Sequence, residues 1–503
     1  MKLNLLILKL LLLLNVFLLQ AQDEEFDFQQ IGDDINGEAI NDNFGWSMAL
    51  SADGNVVVVG AIRHFGNGEQ AGHVRVYEKT NATWTQIGND IDGENSYNFM
   101  GNSVAINSDG SIIAVSATGN SDGGQNAGKV KVFGYINGNW TQLGNDILGE
   151  GSGDRCGSAL GLSQDGQILA IGANYNDGSG PDNGHVRMYQ YVNDTWTQVG
   201  NDIDGVGNFD SFGRRLSLSS DGGIVAIAAP FNDDNGSNTG HVRVFQYSND
   251  TWTQIGSDLQ GENPQDQFGW AVSLNNDGTT LAIGARLNDE TGSNAGKVYI
   301  YKYINQVWTQ LGNNLTGDSA GDLFGYSVSL NDDGTVVAVG VAKADGSDVL
   351  ESGLVRVYVI ENNTWTQIGT DINGEGTDDL FGYVVSLNDD GTFLAISGVS
   401  NDENAEDSGH VRLYEFKPVL SVEDILTDNN FVIYPNPASK EIYFDSKEQL
   451  AQVAVYSIEG KLLFTQNVQQ ESSVAISHLK KGVYVLKIQT LQEKIVIRRL
   501  IKQ

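Results

Sequence analysis

One dipeptide, Phe-Gly or a close variant, returns at nearly constant spacing through most of this chain, and that spacing limits the fold more than any other feature. Its glycines are Gly45, Gly101, Gly157, Gly213, Gly269, Gly325 and Gly382, separated by 56 residues five times and by 57 once. Nine residues after each comes the glycine of an Asp-Gly pair, from Gly54 to Gly391. Asp-Gly between apolar segments is a hairpin signal. Each period carries four strand signals, as at Trp46–Ser51, Val56–Ala61, His73–Glu78 and Thr83–Ile87. The second is almost wholly apolar, which predicts burial on both faces. No helical periodicity occurs within a repeat.

Four antiparallel strands repeated seven times predict an all-β, seven-bladed β-propeller. The two ends of the repeat array predict how it closes. Trp84, Trp140, Trp196, Trp252, Trp308 and Trp365 open six fourth strands, and the seventh repeat stops near Phe416. The missing strand is at the other end of the array, where Phe28-Gln29-Gln30-Ile31-Gly32 copies Trp-Thr-Gln-Ile-Gly. The first strand is therefore expected to complete the last blade and remove the free edges. It is followed by a small C-terminal β-sandwich, with Gly460 and Gly482 expected at turns.

Charge and cysteine content narrow the function classes. The formal net charge is −35, and residues 431–503 hold ten Lys/Arg against six Asp/Glu, so the body before them is more acidic still. Such a body repels nucleic acid and anionic membrane surfaces. A lone cysteine, Cys156, excludes an internal disulfide, and it replaces the phenylalanine of its sister repeats, which predicts a buried apolar role. Lys2 and Lys9 beside an apolar run ending near Ala21 read as a secretory signal peptide. No later stretch is apolar enough to span a membrane in the mature chain. The expected organisation is a signal peptide over 1–21, the propeller over 22–416, a linker over 417–430 and a sorting domain over 431–503.

The Phe-Gly start, the Asp-Gly turn and the Val-Gly-Ala strand ending resemble FG-GAP repeats, the blades of integrin α-chain-like propellers. That family often holds Ca2+ in a loop of several acids between the first two strands. Here the turn offers Ser51-Ala52-Asp53-Gly54, with too few oxygens for a hard cation, so Asp53 and its counterparts read as turn formers. Tyr434-Pro435-Asn436-Pro437-Ala438, Val455–Lys461 and Leu479–Lys487 resemble the C-terminal sorting domain of the type IX (Por) secretion system of Bacteroidetes. This resemblance implies a partnership with that secretion machinery. It further implies export across the outer membrane, removal of the domain, and secretion or attachment at the cell surface.

The longer, acidic connections between blades, together with the variable loops between second and third strands, mark one face as the expected ligand face. On it an acid precedes most Phe-Gly glycines by three residues: Asp42, Asp154, Asp210, Asp266, Asp322 and Asp379, with Asn98 in the remaining repeat. A carboxylate there is expected to accept backbone N–H groups and pin its loop, Ca2+ ligation being the competing reading. Arg75, Arg187, Arg243, Arg356 and Arg412 recur on third strands and predict pairing with carboxylates between blades. His73, His185, His241 and His410 share one repeat position and are not expected to converge on a metal. Asn81, Asn193, Asn249 and Asn362 fit the Asn-x-Thr glycosylation pattern, but they fall where a turn wants Asn anyway. No catalytic set stands out, so no catalytic or cofactor residue is expected. Arg214-Arg215, the His64-Phe65 loop and Lys343–Ser352 break the repeat without suggesting a mechanism. The expected function is a binding or adhesion module for a glycan or cell-surface partner. An exported polysaccharide hydrolase or lyase is the alternative.

Overall fold

A computed structural model describes residues 26–346, 349–418, 431–446, 449–457, 461–468, 473–491 and 495–503. The expected signal peptide and most of the expected linker lie outside these residues. The chain divides into two compact units, one spanning Phe28–Phe416 and the other containing the C-terminal residues.

The first unit consists of seven antiparallel sheets among its described residues. In the first, Phe44–Leu50, Val56–Ala61, His73–Thr80 and Thr83–Gln86 lie side by side from inner to outer edge. Within the connection to the next sheet, read above as loop, Ile91–Asp92 forms a two-residue fifth strand on the third. Short pieces of this kind occur in six sheets. In the sixth sheet the outer strand instead runs unbroken over Thr364–Asn373.

Closure is visible at three radii. Near the axis, the turns between first and second strands form a cycle of backbone hydrogen bonds. Ala52 donates to Ser108 (3.0 Å), Ser108 to Gln164 (3.0 Å), Gln164 to Ser220 (2.8 Å) and Ser220 to Asn276 (2.9 Å). Asn276 then donates to Asp332 (3.1 Å), Asp332 to Asp389 (2.9 Å), and Asp389 back to Ala52 (3.0 Å). Midway out, Phe44, Val57 and Val59 of the first sheet share a core with Ala395, Val411 and Leu413 of the seventh. At the rim, Phe26–Gln30 pairs with His410–Pro418, the Phe28 and Phe416 rings meet at a tilt with centroids 4.9 Å apart, and Ile31 N–H donates to Leu413 O at 2.8 Å.

The repeated residues explain why blades fit at this spacing. The second strand Val56–Ala61 is buried throughout, and each fully buried Val or Ile contributes about 1.5–3 kcal/mol. Blades approach closely where Phe-Gly meets the second strand of its neighbour. A Cβ on Gly45, whose φ is +91°, would lie 2.7 Å from Ser397 Cβ, and one on Gly60 would lie 2.3 Å from Gly101 O. At the outer edge six indoles tie each fourth strand to the one before. Trp84 Nε1 donates to Ile31 O (3.2 Å), and Trp140, Trp196, Trp252, Trp308 and Trp365 repeat the bond at 2.9–3.2 Å. Phe28, standing in for the seventh tryptophan, has no N–H to give, so the joint where the chain closes holds by packing against residues such as Ile368.

The second unit is a small β-sandwich among its described residues. One sheet holds Phe431–Tyr434, Glu441–Ser446 and Ser473–Ala475; the other holds Leu462–Asn467, Leu450–Ser457, Gly482–Thr490 and Ile495–Lys502. Ile442, Val453, Val455, Val474, Leu486 and Leu500 are fully buried between them. Gly482, expected at a turn, opens a strand instead, and Gly460 lies outside the described residues.

Candidate functional site

The acids on the expected ligand face are loop pins. Asp42, Asp154, Asp210, Asp266 and Asp379 are buried to within 3% exposure. The Asp154 carboxylate accepts the Gly151 N–H at 2.8 Å and the Asn176 amide at 3.0 Å. Asp379 does the same with Gly376 (2.8 Å) and Asn401 (2.9 Å). Asp210 and Asp266 accept Asn232 (2.7 Å) and Asn288 (2.8 Å), and Asp322 accepts Ser319 N–H (3.0 Å). Asp42 takes His64 in place of the asparagine, at 3.2 Å. Burial pushes Asp210, Asp266 and Asp322 above the usual carboxylate range. On Asp42 burial acts the same way, but the His64 and Ala39 hydrogen bonds outweigh it and hold the group low.

The third-strand cations are matched charges. Arg75 meets Asp90 at 2.7 Å and Glu38 at 2.6 Å, Arg243 meets Asp258 at 3.0 Å, and Arg356 meets Asp371 at 2.9 Å and Asp318 at 2.7 Å. Arg412 bridges Asp34 and Glu375, both at 2.7 Å. Arg187 donates to Leu148 O at 2.8 Å and stands 3.4 Å from Glu150. The acids come both from the loop of the same sheet and from the loop before it. His73 with Asp90 and Asp92, His185 with Glu150 and Asp202, and His410 with Asp34 and Glu403 are close enough to hold a metal ion. In each trio at least one carboxylate is already engaged by the nearby arginine, a charge-assisted pairing that leaves less for a cation. Asn81, Asn193, Asn249 and Asn362 have φ of +49° to +60°, the left-handed turn geometry asparagine tolerates.

A different residue set converges at the axis. The residue that follows each Phe-Gly pair lies at or close to the start of the innermost strand of its blade. These residues are Trp46, Asn102, Ser158, Arg214, Trp270, Tyr326 and Tyr383. Ring closure brings all seven to the wall of one central cavity of about 530 Å3, together with Arg155, Tyr175, Arg215 and Arg286. The side chains come from the ends of the blade-connecting loops and the starts of the loops after second strands, so the cavity opens on the expected ligand face. The sequence signal was available. The Phe-Gly frame is nearly invariant among the repeats while the next residue changes every time but one. Arg286 likewise stands where the other repeats have Ile62, Thr118, Asn174, Pro230, Ala342 and Val399.

The mouth is half aromatic and half cationic. Trp46 and Tyr383 lie 5.3 Å apart, Tyr383 and Tyr326 5.1 Å, and Tyr326 and Trp270 5.9 Å between ring centroids, a continuous arc. Arg286 is stacked 3.2 Å over Trp270 and held there by Gln267, whose Oε1 accepts its Nε–H at 2.9 Å. Arg214 and Arg215 approach the same indole at 4.7 and 6.0 Å. Among the described residues no carboxylate lies within 4.0 Å of Arg155, Arg214, Arg215 or Arg286, in a chain with 64 Asp and Glu. Among the described residues no Asp, Glu or His lines the cavity. Burial and the Arg215 charge lower Arg214 to about 10, and burial lowers Arg286 to about 10, so both stay protonated at neutral pH. The buried Nε–H of Arg214 and indole N–H of Trp270 have no acceptor. An anion about 4 Å from such a guanidinium gains roughly 4 kcal/mol at the dielectric of a protein surface. At the opposite end, Gln164 reaches Asp389 across the turn cycle at 3.1 Å, which narrows the channel there.

Residues 432–503 match the model of the Por secretion system C-terminal sorting domain, and residues 260–301 match that of the FG-GAP repeat. No curated protein matches the chain. Among solved structures, one similar chain is a candidate 6-phosphogluconolactonase from Bacteroides uniformis ATCC 8492, at TM-score 0.47 and 13% identity, covering 66% of this chain and 86% of that one. A second is U3-55K, at TM-score 0.46 and 13% identity, covering 77% of this chain and 98% of that one. A third is the Pseudomonas aeruginosa periplasmic gluconolactonase PpgL, at TM-score 0.44 and 15% identity, covering 66% and 85%. The chain thus carries FG-GAP repeat and Por sorting-domain sequence, and the latter directs export by the type IX system to the cell surface or extracellular space.

Proposed function

We propose that this exported chain is a binding module that engages an extracellular glycan at the mouth of its central channel. The observation that carries the reading is the pairing pattern of its arginines. Those on third strands are matched with acids, whereas those at the axis are held unmatched beside an aromatic arc. A folded protein keeps partly buried cations without counter-ions where a ligand completes them. A concave site lined by aromatic side chains with a few convergent polar groups is also the usual form of a ligand site. Among the described residues the cavity wall offers no carboxylate pair and no histidine for acid–base hydrolysis, which favours binding over the hydrolase alternative.

A glycan array probed with the full exported chain tests this, alongside Trp46→Ala and Tyr326→Ala, both half-buried. Retention of a glycan by the parent, lost in both variants at unchanged melting temperature, is the expected result. Undiminished binding by both variants would remove the site, and release of reducing ends from a bound polysaccharide would replace binding with catalysis. The sorting domain acts in this reading as an address removed after export. Mass measurement of the external protein should give a C-terminus between residues 417 and 430.

A further inference from the structure

Resting on that reading, we infer that the channel mouth takes a terminal acidic sugar, a pyranose bearing one carboxylate or sulfate, and discriminates against its neutral counterpart. The chemistry divides as the wall does. The arc Trp46–Tyr383–Tyr326–Trp270 offers flat apolar faces of the kind that pack against the C–H face of a sugar ring. Arg214, Arg215 and Arg286 end that arc and supply planar forks matched to an oxyanion. The unmet donors Arg214 Nε and Trp270 Nε1 are buried at the junction of the two halves. Arg286 is already positioned by Gln267 and stacked on Trp270, so less side-chain freedom is lost on binding.

Two observations select a chain end over the middle of a polyanion. The channel narrows at its far side, where Gln164 and Asp389 join across the axis, so a ligand enters from one side only. The surrounding protein is strongly acidic, with a net charge of −35, and a strand of many negative charges lying across this face would be repelled. A single acidic group drawn into the cationic mouth is not.

The test uses the full exported chain and two probes of one shape, a trisaccharide ending in a uronic acid and the same trisaccharide with that carboxyl reduced to the alcohol. A sulfate-capped trisaccharide and inorganic sulfate form further arms, which separate an oxyanion on a sugar from a free anion. Titration calorimetry should show the acidic probe binding about 10- to 100-fold tighter than the reduced one, the scale of one or two charge-assisted hydrogen bonds. Raising the salt concentration should narrow the gap. Arg286→Gln and Arg214→Gln should bring the two probes to equal affinity, with melting curves confirming the fold. Equal affinity for both probes in the parent, with binding still lost in Trp46→Ala, would overturn the charge preference and leave the glycan site standing. Binding unaffected by any of these variants would sink both readings. Inorganic sulfate as tight as the sulfated probe would reduce the site to a simple anion hole.

Discussion

Arginine occupies two places in the propeller, and the two are chemically opposite. On third strands Arg75, Arg243, Arg356 and Arg412 each reach one or two carboxylates, at 2.6–3.0 Å, and the arrangement recurs from blade to blade. At the axis Arg214, Arg215 and Arg286 occur once each in the repeat and meet aromatic rings and one another's charge. A feature that every blade carries serves the blade, because each blade faces the same packing problem. A feature only one blade carries cannot be required by that problem, which is why we propose a ligand for it.

The contrast can be broken experimentally in order of effect. Deleting residues 26–32 removes Phe28, Ile31 and the ladder that closes the seventh sheet. Loss of two large buried side chains and a rim strand should lower the melting temperature by about 10 °C or more; an unchanged melt in calorimetry would dismiss closure as the main source of stability. Arg412→Met comes next. It leaves Asp34 and Glu375 facing each other without their shared cation, and it should cost about 3–5 kcal/mol in a denaturant titration. Arg286→Met and Arg214→Met should behave in the opposite way and melt no lower than the parent, since each relieves repulsion among unmatched cations. A loss comparable to that of Arg412→Met would show the mouth to be structural after all.

Acid should unfold the propeller through its histidines before its carboxylates. Burial first holds His73 at about 3 and His241 at about 4, from an ordinary 6.5, with the His64 charge second on His73 and the Arg243 charge second on His241. His185 is held at about 4 in the same way. Unfolded, each takes up a proton near 6.5, so the unfolded state binds more protons as the pH falls below that value. Stability should therefore drop between pH 6.5 and about 4, by about 1.4 kcal/mol per unit for each of the three. His64 acts oppositely: the Asp42 hydrogen bond raises it, so its contribution is complete below 6.5 and fades as pH rises through the raised value. Asp34 joins in only at lower pH. Burial disfavours its charge, but hydrogen bonds from His410 and Arg412 prevail and hold it well below the carboxylate range. A melting temperature flat from pH 7 to 4.5 would contradict this ordering. The smallest loss of stability belongs to the rim. Trp84→Phe copies the joint already present at Phe28 and should cost about 1 kcal/mol, the worth of one hydrogen bond.

Most of the fold was legible because turn chemistry and burial are local. Asp53 takes the Ser51 hydroxyl at 2.8 Å and the Asn55 N–H at 3.0 Å, a turn any reader of Ser-Ala-Asp-Gly-Asn would expect. Cys156 is fully buried where its sister repeats bury phenylalanine. The short fifth strands were missed because two residues such as Ile91-Asp92 are too few to show a period. The loop acids were legible as pins, since Asp154 and Gly151 are three residues apart. The axial site was not, although Arg214-Arg215 was visible as a break in the repeat.

The sequence alone determined the repeat, its seven-fold count, the strand that returns from the N-terminus, and the sorting domain at the other end. These depend on residues close in the chain or on copies of one pattern. Only the tertiary structure decided that Trp46, Arg214, Trp270, Tyr326 and Tyr383 share a cavity and that Arg286 joins them. Residues a whole repeat apart have no physical relation until the ring closes. It then places equivalent positions around one axis, and small departures from symmetry add up to a single asymmetric pocket.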